Sequence, residues 1–426
     1  MSSPNGAQNP MSNFERNIAA KILDDVADLS RDVEGISRPA YSPKETEILH
    51  YLEHLAKHQG LSVSYDGGQN ALFSLPEDEE ATKFRLVGSH VDSVPRGGNY
   101  DGLAGVVAGL LCLIRAKNEG RSFTKPVKVI AMRGEESAWF GPCYIASRAL
   151  LGLLTDVERN ALHKGDGKTL ESHMKAVGID IGPVRNQQPL VDKDCFLEFI
   201  ELHIEQGPLL VEKKIPAAIV SGIRGNFRHR QIRCIGEEGH SGAVPRAYRR
   251  DPVLAMADLF TRLDANWLTI LQKGDDLVLT SGIVSTDTAK NAMTRIPDEV
   301  SFSLDIRSQS DEVLENMRDL LAFEMKQVED ERGVKFLLDQ EIAVDPAAMD
   351  ETLVDNLASA MGRVGVEPFI MASGGGHDAA MFANVGVPSA MVFVRNQHGS
   401  HNPYEAMEID DLMVGTSIIY DHLINA

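Results

Sequence analysis

The sequence predicts an α/β fold: a larger domain around a mostly parallel sheet, with a smaller ferredoxin-like α+β domain inserted into it. Three observations lead there. Short apolar runs at residues 61–65, 71–75, 84–88 and 127–132 alternate with helical patterns such as 103–119, as layered α/β sheets do. From 226 to 345 the order becomes strand (230–235), helix (252–263), strand (277–284), strand (300–306), helix (311–330), strand (334–340), the split pattern of a self-contained unit. Beyond 345 a helix (351–364), the glycine-rich turn SGGGHDA and a strand (389–394) resume the first style, so the larger domain is discontinuous.

Each end of the chain has a local reason. Residues 1–12 are polar, lack a basic-then-apolar signal pattern and read as a disordered leader. Phe14, Ile18, Ile22, Val26 and Leu29 then recur at helical spacing. Ser42 reads as the N-cap of a second helix, with Pro43 at its first position, Glu45 completing a capping box and Gly60 stopping it.

Bulk properties narrow the function. A chain of 426 residues exceeds a single ordinary core and implies two domains. A formal net charge of -20 argues against nucleic acid or an anionic membrane as partner. No apolar run approaches the ~20 residues that span a bilayer. Cys112, Cys143, Cys195 and Cys234 are dispersed and form no CxxC pair, which predicts reduced core thiols in a cytoplasmic protein.

In open α/β sheets, ligands gather at the carboxyl ends of the strands. Four polar clusters fall at such ends: His90-Val91-Asp92 with Asp101 at the next helix start, MRGEES (132–137), ELHIEQG (201–207) and HGSHNP (398–403). Singly, each is more often a hydrogen-bonded loop, and adjacent glutamates usually face water. Together they bring imidazoles and carboxylates, ligands of divalent transition metals, to one sheet edge. Two ions explain more than one, because a carboxylate can bridge a pair ~3.5–4 Å apart. Asp101 is the expected bridge, and Asp92, two residues from His90, suits fixing that imidazole's tautomer. Of Glu135 and Glu136, one can ligate while the other acts as a base. His50, His54 and His58, spaced by four, read as a solvated helix face. His398 reads as a loop residue, and His377 as the start of a helix beside the site.

The order HxD, NYDG, EE, strand-end His and SHNP resembles the aminoacylase/carboxypeptidase-type dinuclear metallohydrolases. Within them it is most similar to the amidase branch of N-carbamoyl-L-amino acid amidohydrolases, β-ureidopropionases and allantoate amidohydrolases. The resemblance covers nearly the whole chain from about Asn13. It implies that His90, Asp101 and His203 hold one metal and Asp101, Glu136 and His401 the other, with Glu135 as general base. It implies that His240, in GHSGAVP, reaches the partner subunit's site to stabilise an oxyanion, that Asn291 and Arg307 grip a substrate carboxylate, and that Gln206 contacts substrate. Residues 13–224 and 346–426 would form the catalytic domain, and 225–345 a lid that also forms a homodimer. The implied cofactors are two divalent ions, Zn2+ or Mn2+, with Co2+ or Ni2+ suiting the same donors.

The implied reaction is hydrolysis of a non-peptide C–N bond, foremost the ureido group of an N-carbamoyl-L-amino acid, by metal-activated hydroxide with a glutamate base. An N-acyl-amino acid amidohydrolase or dipeptidase on the same scaffold is the first alternative, and a catalytically silent homologue the second. The chain departs from the branch at Ser137-Ala138-Trp139-Phe140, at Ala243-Val244-Pro245-Arg246 and in the polar lead NQHG into SHNP.

Overall fold

The computed structural model describes residues 11–426, so most of the expected leader lies outside the described residues. Its last two positions belong to the fold: Met11 is buried, and Ser12 caps helix Asn13–Ser30 in a reciprocal box with Glu15. The second helix, Pro43–His58, starts on Ser42, whose hydroxyl accepts from the Glu45 N–H. The expected capping box there is incomplete. Glu45 turns inward instead, accepting from the Tyr41 N–H at 2.9 Å and pairing with Arg133 at 2.7 Å. A buried cation outcompetes the helix terminus for that carboxylate.

The chain forms two compact units. One comprises the chain up to Gly222 together with Ala348–Ala426, and the other Ile223–Ala347. In the first, strands Ser62–Tyr65, Ala71–Ser74, Val127–Met132, Phe84–His90, Phe196–Ile204, Ser389–Val394 and Ala217–Ile223 lie side by side in that order. The central strands, Val127–Met132, Phe84–His90, Phe196–Ile204 and Ser389–Val394, run parallel, and antiparallel pairs flank them. Every residue of Phe84–His90 is buried, as expected of a strand covered on both faces.

Helix Leu103–Glu119 packs on Phe84–His90 and Phe196–Ile204. A Cβ on Gly105 would come within 2.1 Å of the Leu202 carbonyl oxygen, so glycine lets the helix press onto the sheet. That contact fixes the helix N-terminus, and Asp101 just before it, above the strand ends. Helix Ile409–Asn425 closes the chain against Leu103–Glu119. Short helices Ile145–Leu150, Leu170–Ala176 and Ile181–Arg185 build a satellite core with Tyr41 and Phe140. Among the described residues no helix is long and apolar enough to cross a membrane.

The second unit is an antiparallel sheet in the order Val284–Ser285, Glu299–Ser308, Gly225–Ile235, Lys335–Leu337, with Val278–Thr280 also on Glu299–Ser308. Helices Pro252–Gln272 and Asp311–Arg332 supply Leu259, Leu263, Leu321 and Met325 to its core. This is the ferredoxin-like arrangement, and the first helix continues past the expected residue 263 to Gln272. All four cysteines are free, but only Cys112 and Cys234 are buried. Cys143 and Cys195 are half-buried, which corrects the expectation of four core thiols.

Candidate metal centre

The parallel register gathers the polar clusters. His90 ends its strand opposite Met132, so the Arg133-Gly134-Glu135-Glu136 turn emerges beside it. His203, one residue from the end of Phe196–Ile204, lies opposite Phe393 in the strand that leads to His401. Asp101 stands between them. Its Oδ1 is 3.4 Å from His90 Nε2 and 3.1 Å from His203 Nε2, while its Oδ2 is 3.6 Å from His401 Nε2. His401 Nε2 is also 3.3 Å from Glu136 Oε1. Two sets of potential ligands therefore share one carboxylate: His90, Asp101 and His203, and Asp101, Glu136 and His401, each with its atoms within 4.8 Å of one another.

The donor chemistry fits divalent cations. His203 Nδ1 is 2.9 Å from the Ile204 carbonyl and His90 Nδ1 is 3.1 Å from the Asp92 carbonyl, so each ring donates there and presents its Nε2 to Asp101. Asp92 Oδ1 lies 3.3 Å from His90 Nδ1 and accepts the Glu135 N–H at 2.9 Å, and Oδ2 accepts the Glu136 N–H at 3.1 Å. One carboxylate thus aligns the imidazole with the twin glutamates. Glu136 Oε1 is buried with no hydrogen-bond partner other than the His401 imidazole 3.3 Å away, an expensive state that a cation relieves.

Electrostatics point the same way. Burial alone would depress the His90 imidazole, but hydrogen bonds that it donates to Asp101 and Asp92 and the charge of Glu135 carry it well above its ordinary value. His401 is raised to about 9, first by its hydrogen bond to Glu136. Burial would raise Asp101, yet His203 and His90 hold it well below the usual carboxylate range. The centre favours positive charge. Glu135 differs: burial, reinforced by Glu136, pushes it well above the ordinary glutamate value, and its Oε2 lies 3.9 Å from His90 Nε2. A buried carboxylate of raised proton affinity suits acid–base work.

Apart from Gly102, which closes NYDG, the supporting residues had no motif to betray them. Gly102 has φ +67, and a Cβ there would sit 2.4 Å from the His90 ring. Arg38, fully buried, donates to the Val91 carbonyl at 2.6 Å and to Asn99 Oδ1 at 2.9 Å, bracing the loop that leads to Asp101. Glu405 Oε1 accepts the N–H groups of Tyr100 and Asp101. Buried arginine and glutamate are rare without partners, but the sequence does not reveal the partners.

The other candidates fall in varied places. Gln206 Nε2 donates to Asp101 Oδ2 at 2.7 Å. His377 directly precedes helix Asp378–Asn384, is buried, and sets its ring 4.3 Å from that of His203. His398 is a loop residue with φ +66, and His50, His54 and His58 are exposed. Trp139, one of the departures, donates its indole N–H to the Ser93 carbonyl at 2.7 Å, next to Asp92. In the second unit, His240 is exposed, Asn291 has neither side-chain polar atom hydrogen-bonded, and Arg307 pairs with Asp305 at 2.8 Å. A further group sets His163 and Asp166 of a turn beside His173 of helix Leu170–Ala176, with His163 Nδ1 accepting from the Gly165 and Asp166 N–H groups.

Known proteins resemble this chain in sequence and fold. The chain is 30% identical over 395 residues to an N-carbamoyl-L-amino-acid amidohydrolase of a Pseudomonas species, covering 92% of this chain and 93% of that one. It is 31% identical to the allantoate amidohydrolase of Escherichia coli, covering 90% and 91% respectively. A Burkholderia multivorans amidase of the hydantoinase/carbamoylase family superposes with a TM-score of 0.84 at 26% identity, over 96% of this chain and 97% of that one. Residues 86–425 match the family model described as peptidase family M20/M25/M40, whose members are metal-dependent, and the chain belongs to that family as an amide-hydrolysing enzyme.

Proposed function

We propose that this enzyme hydrolyses the ureido C–N bond of an N-carbamoyl-L-amino acid or a related ureido acid, releasing ammonia and carbon dioxide from the carbamoyl group. The observation that carries the reading is Asp101, whose two oxygens each face a separate ligand set, with Glu135 alongside. The named activities of the Pseudomonas and Escherichia coli relatives support the ureido class. His90, Asp101 and His203 would hold one divalent ion and Asp101, Glu136 and His401 a second, with zinc or manganese foremost and cobalt or nickel suiting the same donors. When bound, such a pair supplies Lewis-acid polarisation and lowers the pKa of water toward neutrality.

The chain's own groups do the rest. Glu135 takes a proton from the attacking water and returns it to the departing nitrogen, which its raised proton affinity suits. Asp92 keeps His90 and the glutamate turn in register. From the second unit, we assign His240 as donor to the developing oxyanion in the partner subunit's site, and Asn291 and Arg307 as grip on the substrate carboxylate. Gln206, on Asp101 in this structure, is assigned a further substrate contact. The second unit is assigned the role of lid and dimer contact, which a solution mass measurement tests.

A chelator-sensitive assay over N-carbamoyl, N-acyl and dipeptide substrates, reading free amino acid from all three and ammonia from the first, decides the class. Release from N-carbamoyl-L-amino acids, abolished by chelation and restored by Zn2+ or Mn2+, supports the reading. Turnover confined to N-acyl or dipeptide substrates contradicts it.

A further inference from the structure

Five residues would hold the ion pair, and four of them are buried. His90, Asp101, Glu136 and His203 sit on or beside strand ends with at most 4% exposure. His401 is the exception: its side chain is 53% exposed, and its backbone has φ +60, a conformation uncommon for residues other than glycine. Packing does not hold this imidazole in place, so something in its loop must.

The loop offers one candidate of the right kind. Glu405, four residues on, is 7% exposed and points back into the centre. Its Oε1 accepts the N–H of Tyr100 at 2.9 Å and of Asp101 at 3.2 Å. Its Oε2 accepts the hydroxyl of Ser400, the residue before His401, at 2.6 Å, and that hydroxyl also contacts Asp101 Oδ2. Gly98 passes flush against the carboxylate, where a Cβ would come within 2.2 Å of Oε1. One side chain therefore ties two loops that are far apart in sequence, one carrying the bridging aspartate and the other the exposed histidine.

Resting on the two-ion reading above, we propose that Glu405 is a positioning residue that sets the separation of Asp101 and His401, and so governs how tightly the ion shared by Asp101, Glu136 and His401 is held. It belongs to neither ligand set. The ion between His90 and His203 draws its imidazole ligands from strand ends that Glu405 does not reach and shares only Asp101 with the other, so the effect falls chiefly on one ion of the pair. Gln at this position keeps a carbonyl oxygen for the two N–H groups, whereas Ala removes every link.

The test is metal titration of the full-length, metal-stripped enzyme with Zn2+ against a chromophoric chelator, for wild type, Glu405→Ala, Glu405→Gln and Ser400→Ala, with circular dichroism to verify folding. The inference predicts that Glu405→Ala weakens the second equivalent by roughly 10- to 100-fold, the range for groups that orient metal ligands, and the first by much less. Glu405→Gln recovers part of that loss, and Ser400→Ala shows a smaller loss of the same selectivity. Unchanged binding in Glu405→Ala, or equal weakening of both equivalents, overturns the inference while the two-ion centre stands. A folded wild type that takes up fewer than two ions overturns the centre itself, and this inference with it. Should Glu405→Ala not fold, selective weakening in Glu405→Gln and Ser400→Ala sustains the inference, and its absence in both overturns it.

Discussion

The two halves of the candidate centre are built differently. His90 and His203 are 1% exposed, stand at strand ends and have their Nδ1 atoms fixed by backbone carbonyls. Glu136 lies in a turn, and His401 lies in an exposed loop tied down through Ser400 and Glu405. The first half is rigid because the sheet is rigid. The second is held by a few polar contacts, so it is the half where affinity for an ion can be tuned or lost with little effect on folding.

The most damaging change to this contrast is Asp101→Asn, because that carboxylate belongs to both halves. It should remove both equivalents of metal, with ammonia release down by at least about 10⁴-fold, more than a single general base contributes. Retention of one tight ion would show that the halves do not share a ligand. Next comes Glu135→Gln, expected to cost about 10³-fold in kcat while metal content, read by elemental analysis, stays at the wild-type value.

The halves should then separate in stability. In the metal-stripped protein His203→Ala leaves the buried Asp101 short of a partner and is expected to cost on the order of 3 kcal/mol in denaturant unfolding. His401→Ala, at an exposed position, should cost no more than about 1 kcal/mol. Equal costs would erase the distinction. Gly102→Ala belongs with the rigid half: its φ of +67 and the nearby His90 ring predict a loss of about 1–3 kcal/mol and weaker binding of the first ion.

The smallest effect is a pH dependence of the metal-stripped protein. His401 is raised in the fold from 6.5 to about 9, chiefly by Glu136, so its contribution to stability is full below about 6.5 and is lost as pH climbs through about 9. Tm should fall over that window, and His401→Ala should flatten the slope. A slope that survives the substitution assigns the effect to other groups.

The same contrast explains what could be read from the sequence. The ligand types advertised themselves because polar residues directly following apolar strands are conspicuous, as in FRLVGSHVD and FIELHIEQG. The supports did not. Glu405, Arg38 and Ser400 act through partners far away in the chain, and no spacing announces such pairings. Glu45 misled for a related reason: its local capping pattern was real, but a buried arginine claimed the side chain. Helix Ile409–Asn425 escaped notice because it is buried nearly all round and so lacks an amphipathic stripe. The inserted unit, with alternating burial along Glu299–Ser308 and one apolar face on each helix, was plain.

The most direct measurement is a crystal structure of the full chain grown with Zn2+ or Mn2+, with the ions located by anomalous scattering. The account predicts two peaks ~3.5–4 Å apart, one between His90, His203 and Asp101 Oδ1 and the other between Glu136, His401 and Asp101 Oδ2. A single peak, or a pair that Asp101 does not bridge, would contradict it.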